Sequence, residues 1–192
     1  MGRSGWYPRS LSNRCAQSWC STYNSIYFLE AFQALFLLGN LKQDDDVLVH
    51  AGASGVGVAA IQLARLFGAS VVPESQVEHK TELWSYSQQI IATTSTQEKI
   101  DWLKRIENHP TTAINYKTQD FASVVKEVTN NKGVDIVIDF VGQSHWNKNL
   151  DSLALDGTMI CLGLLSGRPI LWIGADLHAE RRWKEQMYSL RI

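Results

Sequence analysis

The chain has 192 residues, is 45% hydrophobic and carries a formal net charge of −1. That length suits one domain with a sizeable core, and the near-neutral balance without a basic block argues against a nucleic-acid partner. No apolar run approaches the ~20 residues needed to cross a bilayer, so no membrane association is expected.

Residues 1–28 read as an irregular segment. Arg3, Arg9 and Arg14 stand there among serines with no acidic residue, the composition of a mitochondrial transit peptide. The three cysteines, Cys15, Cys20 and Cys161, lack paired zinc-knuckle spacing. No metal is therefore expected, and a reducing compartment fits, cytoplasmic with the mitochondrion as the alternative. Phe28 to Leu38 has a helical apolar face of Phe32, Leu35, Phe36 and Leu38, ended by Gly39 and Asn40.

Val47 to Val49 is a β-branched, apolar run suited to a buried strand. A turn of small residues follows, Gly52, Ala53, Ser54, Gly55, Val56 and Gly57, and then an amphipathic helix that Gly68 stops. A second strand starts at Ala69 to Val72, but the pattern breaks into a polar stretch, and strand character returns only at Ile90. A helix is expected over 97–106, a third strand at Ala113–Asn115 and a helix over 121–128. A fourth strand is expected at 134–140, a short helix over 146–153 and a fifth strand over 158–164.

Such alternation means an α/β fold with a doubly wound parallel sheet, Rossmann-like, in strand order 3-2-1-4-5. A sixth strand is not evident. Residues 29–167 form this domain, 72–89 a polar insertion within it, and 168–192 an irregular or helical tail.

Strand, glycine turn and helix together place a helix N-terminus against a dinucleotide pyrophosphate. Gly52 and Gly57 hold the first and last places of a G-x-G-x-x-G pattern, and Ser54 holds the middle one. The same residues also suit an ordinary β-turn-helix, in which the glycines serve only the turn. Two other readings fail. No tyrosine has lysine four residues on, as a short-chain dehydrogenase needs for proton transfer, and no Gly-Lys-Ser/Thr completes a P-loop.

The segment HAGASGVGVAAIQLARLFGA resembles the coenzyme segment of the zinc-free quinone oxidoreductases of the medium-chain dehydrogenase/reductase superfamily. AFQALFLLG, INYKTQDF and GVDIVIDFVGQSHWNKNLDSLALDGTMICLGLLSG resemble further family segments in the right order, over roughly Ala31 to Gly167. The resemblance implies hydride transfer from NADPH, with NADH less favoured, to a quinone or similar conjugated carbonyl. It implies neither a metal nor a catalytic side chain, because the cofactor carries the chemistry. By position it assigns the pyrophosphate to Ala53–Gly57 and the 2′-phosphate to Lys99 and Tyr116. Val141, Gly142, Gly163 and Leu164 would line the crevice.

Coenzyme choice turns on the end of the second strand. An end at Val72–Pro73 puts Glu74 where a carboxylate grips a free ribose hydroxyl. An end after Ile90 is neutral and hydroxylated, with Ser95 and Thr96 leading to Lys99, and suits a phosphate. The second reading is adopted, because deleting 72–89 restores the family pattern GASV-IIATTSTQEK. That piece starts with valine and ends with glutamine, as an in-frame retained intron can.

The chain also departs from the family. The family's N-terminal barrel-like domain is not recognisable, Glu30 stands where threonine is usual, and the dimer-forming edge is not evident, so no family-type homodimer is expected. The reading is therefore a quinone-reductase-type chain of impaired activity. The alternative is a nucleotide-binding module without turnover.

Overall fold

The computed structural model of the chain describes residues 25–68 and 88–167, together with the backbone of a strand at Glu185–Met187. Six parallel strands form one sheet in the order β3-β2-β1-β4-β5-β6. They are β1 Val47–Val49, β2 Ile90–Thr94, β3 Thr112–Asn115, β4 Val134–Asp139, β5 Leu153–Cys161 and β6 Glu185–Met187. The helices are α1 over 25–38, α2 Gly55–Gly68, α3 Gln97–Leu103, α4 Phe121–Val128 and α5 Trp146–Ser152. The central order 3-2-1-4-5 is the one the alternation implies.

Side-chain alternation along the strands sorts the core into two layers. Val47, Val49, Ile90, Ala92, Ile136 and Ile138 pack under α1, α2 and Leu103 of α3. Leu48, Ile91, Ile114, Val137 and Met159 pack under Phe121 and Val125 of α4 and Trp146 of α5. The central strands are buried on both faces, which is why they read as unbroken apolar runs. Each fully buried aliphatic side chain contributes about 1.5–3 kcal/mol of transfer free energy.

The structure revises four details. α1 starts before Phe28 and ends in a π-helical stretch, Gln33–Leu38. α3 ends at Leu103, where Lys104 caps it. β5 starts at Leu153 and ends at Cys161, because Asp156 takes a left-handed φ of 61° and forms an irregularity that lets Leu153 pair with Val134. A sixth strand exists: β6, Glu185–Met187, pairs in parallel with Met159–Cys161, while the rest of the tail lies outside the described residues.

β2 is Ile90–Thr94, paired with β1, so the later of the two sequence readings gives the second strand. Gln89 already joins the sheet, its N–H donating to Asp46 Oδ1 (2.7 Å) and its carbonyl accepting from Val47 (2.8 Å). Ala69–Val72, Glu74 and the possible strand at Pro169–Ile173 lie outside the described residues. Among the described residues no helix is long and apolar enough to cross a membrane.

Candidate functional site

All the loops singled out by the sequence leave the carboxyl ends of strands, so the parallel topology brings them to one edge. The turn after β1 opens with Ala51, held at a φ of 48°, a costly conformation for a residue with a Cβ. Ala51 O accepts from Ser54 N (2.8 Å), and Gly52 N donates to Thr93 O (2.9 Å). Ser54 caps α2, its Oγ accepting from Gly57 N (3.1 Å) and its carbonyl from Val58 N (2.9 Å). Gly55 and Val56 open α2, so their amides lack a carbonyl within the helix to donate to.

Gly57 and Gly52 serve the turn itself. A Cβ at Gly57 would stand 2.5 Å from Ala51 O, and one at Gly52 would stand 2.8 Å from Ala92 Cβ. Gly55 differs, because its bare face meets the ring of Tyr27 from α1, 2.5 Å from a would-be Cβ.

At the end of β2, Ser95 is half-buried while Thr96 and Lys99 are exposed. Thr96 caps α3 by accepting from Lys99 N (3.4 Å). Tyr116, just past β3, donates its backbone N–H to Thr94 O (3.1 Å) and sets its ring edge-on to His145, centroids 5.1 Å apart. Ser95, Thr96, Lys99 and Tyr116 therefore flank the same strand end.

The loops after β4 and β5 clasp each other. Leu165 N donates to Phe140 O (3.1 Å), Ser166 N to Val141 O (2.7 Å) and Gln143 N to Gly167 O (3.1 Å). A Cβ at Gly142, whose φ is 83°, would meet Gly167 O at 2.6 Å and Leu164 Cδ2 at 3.0 Å. A Cβ at Gly163 would meet Phe140 O at 3.1 Å. Val141, Gly142, Gly163 and Leu164 thus form one lip. Asp139 organises it, its carboxylate accepting from Val141 N (2.8 Å) and Gly142 N (3.0 Å). Burial pushes the Asp139 carboxyl up to about 6, against the pull of those amides.

A family model described as zinc-binding dehydrogenase matches residues 85–185. The 2-haloacrylate reductase of a Burkholderia species is 37% identical over 142 residues, which cover 72% of this chain and 36% of that protein. Quinone oxidoreductase 1 of Escherichia coli strain K12 is 31% identical, over 73% of this chain and 37% of that protein. The chain belongs to the zinc-binding dehydrogenase family. Within that family it lies in the quinone-oxidoreductase-like branch. A crystal structure of Escherichia coli quinone oxidoreductase complexed with NADPH superposes with a TM-score of 0.63 at 27% identity, covering 85% of this chain and 44% of that one. The chain thus spans about two fifths of the length of these family members.

Sequence reasoning about this family chain passed over the residues beneath the loops. His50, fully buried at the end of β1, donates from Nε2 to Asn149 Oδ1 (2.6 Å) and accepts at Nδ1 from the Thr93 hydroxyl (2.8 Å). Burial lowers its pKa to about 3, so the ring is neutral. Its edge meets Phe121 and His145 at 4.9 and 5.0 Å between centroids. The available signal was a histidine closing an otherwise apolar strand. Asn149 gave none, since it sits in a polar-looking helix.

The residues at this edge fit a dinucleotide. Thr94 Oγ1, His145 Nε2 and Asn149 Nδ2 are buried polar atoms with no hydrogen-bond partner, and all three lie toward the carboxyl edge of the sheet. A cleft of about 430 Å³ at the opposite edge does not fit. Asp45, Asp135 and Asp156 line it against a single cation, Lys42, and would repel phosphates. Among the described residues no group of three His, Cys, Asp or Glu side chains is placed to hold a metal ion.

Proposed function

We propose that this chain is the coenzyme-binding part of an NADPH-dependent reductase acting on a quinone or other conjugated carbonyl, without a metal. The observation that carries the reading is the gathering of the glycine turn, the hydroxylated end of β2 and the β4–β5 lip at one edge of the sheet. The NADPH complex of the Escherichia coli quinone oxidoreductase supports the choice of coenzyme.

The nicotinamide supplies the hydride when bound, so the protein's tasks are holding and orienting. The amides of Gly55 and Val56 and the Ser54 hydroxyl donate to the pyrophosphate, aided by the positive end of α2. Ala53 and Gly57 shape the turn around it. Ser95, Thr96, Lys99 and Tyr116 hold the 2′-phosphate. Among the described residues no salt bridge engages Lys99, which leaves its charge for an anion. Val141, Gly142, Gly163 and Leu164 line the crevice toward the nicotinamide.

Binding without turnover is the second reading, and Glu30 favours it. This carboxyl is half-buried on α1 and its pKa is raised by burial, an awkward neighbour for a hydride donor where the family usually has threonine. Fluorescence titration with NADPH and NADH, paired with quinone-dependent NADPH oxidation, tests both readings. Tighter binding of NADPH than NADH is expected, and a preference for NADH sinks the 2′-phosphate assignment. Binding without oxidation of NADPH selects the second reading.

A further inference from the structure

His50 stands at a crossing of the elements that carry the proposed site, and it touches none of the proposed ligand-binding atoms. Its backbone N–H donates to Ile138 O of β4 (3.0 Å). Its ring reaches Thr93 of β2 on one side and Asn149 of α5 on the other. The next residue, Ala51, begins the glycine turn in its left-handed conformation. The residue after Thr93 in β2 leads directly to Ser95 and Thr96. Asn149 belongs to α5, the helix that follows the β4 lip. One imidazole therefore links the three loops that a bound dinucleotide must span.

Ordinary core packing does not call for a histidine here. Every neighbouring position of β1 is aliphatic, and burying a polar ring costs free energy unless both nitrogens are satisfied. Both are satisfied, by groups from two different elements and at short distances. An aliphatic residue would fill the volume yet leave the Thr93 hydroxyl and the Asn149 amide without their partner. What the histidine adds is a fixed spacing between strand ends, in a network whose geometry transmits small shifts.

We propose that His50 is a positioning residue of the coenzyme site, an internal staple that sets the glycine turn at the right distance from the 2′-phosphate end of β2. The proposal rests on the coenzyme reading above and deepens it. The staple matters only to a ligand long enough to bridge both regions. Adenosine 2′-monophosphate, which lacks the 5′-phosphate, engages the β2 end alone, whereas NADPH must also reach the pyrophosphate turn. Loss of the staple should therefore separate the two affinities, which a general loss of stability would not do.

The test is a pair of titrations on the full 192-residue chain, with NADPH followed by fluorescence and adenosine 2′-monophosphate by calorimetry. His50→Leu should weaken NADPH about tenfold or more while changing the monophosphate by less than about threefold. His50→Gln, which keeps a donor toward Asn149, should recover part of the NADPH loss. Should His50→Leu fail to fold, Thr93→Val keeps the volume and the Asn149 bond, and should weaken NADPH alone by about threefold. Equal weakening of both ligands, or unchanged NADPH affinity, overturns the staple. A wild-type chain that binds neither probe overturns the coenzyme reading itself, and the staple falls with it.

Discussion

At the amino ends of the strands the sheet is finished with exposed ion pairs, and at the carboxyl ends with buried, hydrogen-bonded polar groups. Lys132 bridges Asp135 (2.7 Å) and Asp46 (3.4 Å), and Asp46 in turn accepts from Gln89 N. Lys132 is half in water while Asp46 is buried, and the charges are satisfied by one another. At the other edge His50, Thr93, Asn149 and Asp139 are almost fully buried, and Thr94 and His145 keep polar atoms without protein partners. A charged edge that closes on itself contributes to the fold. A buried polar edge that keeps unpartnered atoms has hydrogen-bonding capacity for the proposed coenzyme.

The sharpest way to break this contrast is Gly57→Ala. Its Cβ would meet Ala51 O at 2.5 Å, backbone against backbone, so the turn itself must move. We expect NADPH binding to vanish from the titration, with about 1–3 kcal/mol lost in chemical denaturation. Lys99→Ala comes next. It should weaken NADPH about tenfold and leave NADH unchanged, since only the former carries the 2′-phosphate.

The pH response separates two groups of the same carboxyl edge. His50 is depressed from 6.5 to about 3, so its contribution is complete above pH 6.5 and is lost as pH falls toward 3. Asp139 is raised from 3.8 to about 6, so the folded state binds the extra proton and stability falls as pH rises from 3.8 to 6. Between about pH 4 and 6 the two slopes oppose each other. Asp139→Asn removes one, and stability measured by denaturation should then rise with pH there, by up to about 1.4 kcal/mol per unit. A profile as flat as that of the unsubstituted chain would contradict the opposition.

The smallest effect is expected at the amino edge. Lys132→Ala breaks a pair that is half exposed on the lysine side, so about 0.2–1 kcal/mol should be lost and less of it at high salt. NADPH affinity should not change. A loss of affinity there would erase the distinction between the two edges.

Most of the architecture was legible because this sheet is buried on both faces. VLV, IIATT and VDIVID stand out as apolar runs between turn residues, and parallel alternation leaves few topologies. The glycine turn was legible for a similar reason, since a Cβ is barred at Gly57 by the turn's own backbone and at Gly52 by Ala92 of β2. β5 was misjudged at its start because Asp156–Gly157 looks like a turn, yet here it forms an irregularity inside a strand. β6 was missed because three residues in a charged tail carry no periodicity. The His50–Thr93–Asn149 network was invisible because its members lie 43 and 99 positions apart, and only the crossover connections bring them together.

The clasp between the β4 and β5 loops has a kinetic consequence. Ser166 donates its hydroxyl to Val141 O (2.7 Å) and accepts from Ser144 N (2.9 Å), adding side-chain bonds to the three backbone ones. Neither loop can lift without releasing the other, so their amides should take up deuterium in one correlated opening event rather than residue by residue. The turn after β1 shares none of these bonds and opens on its own clock.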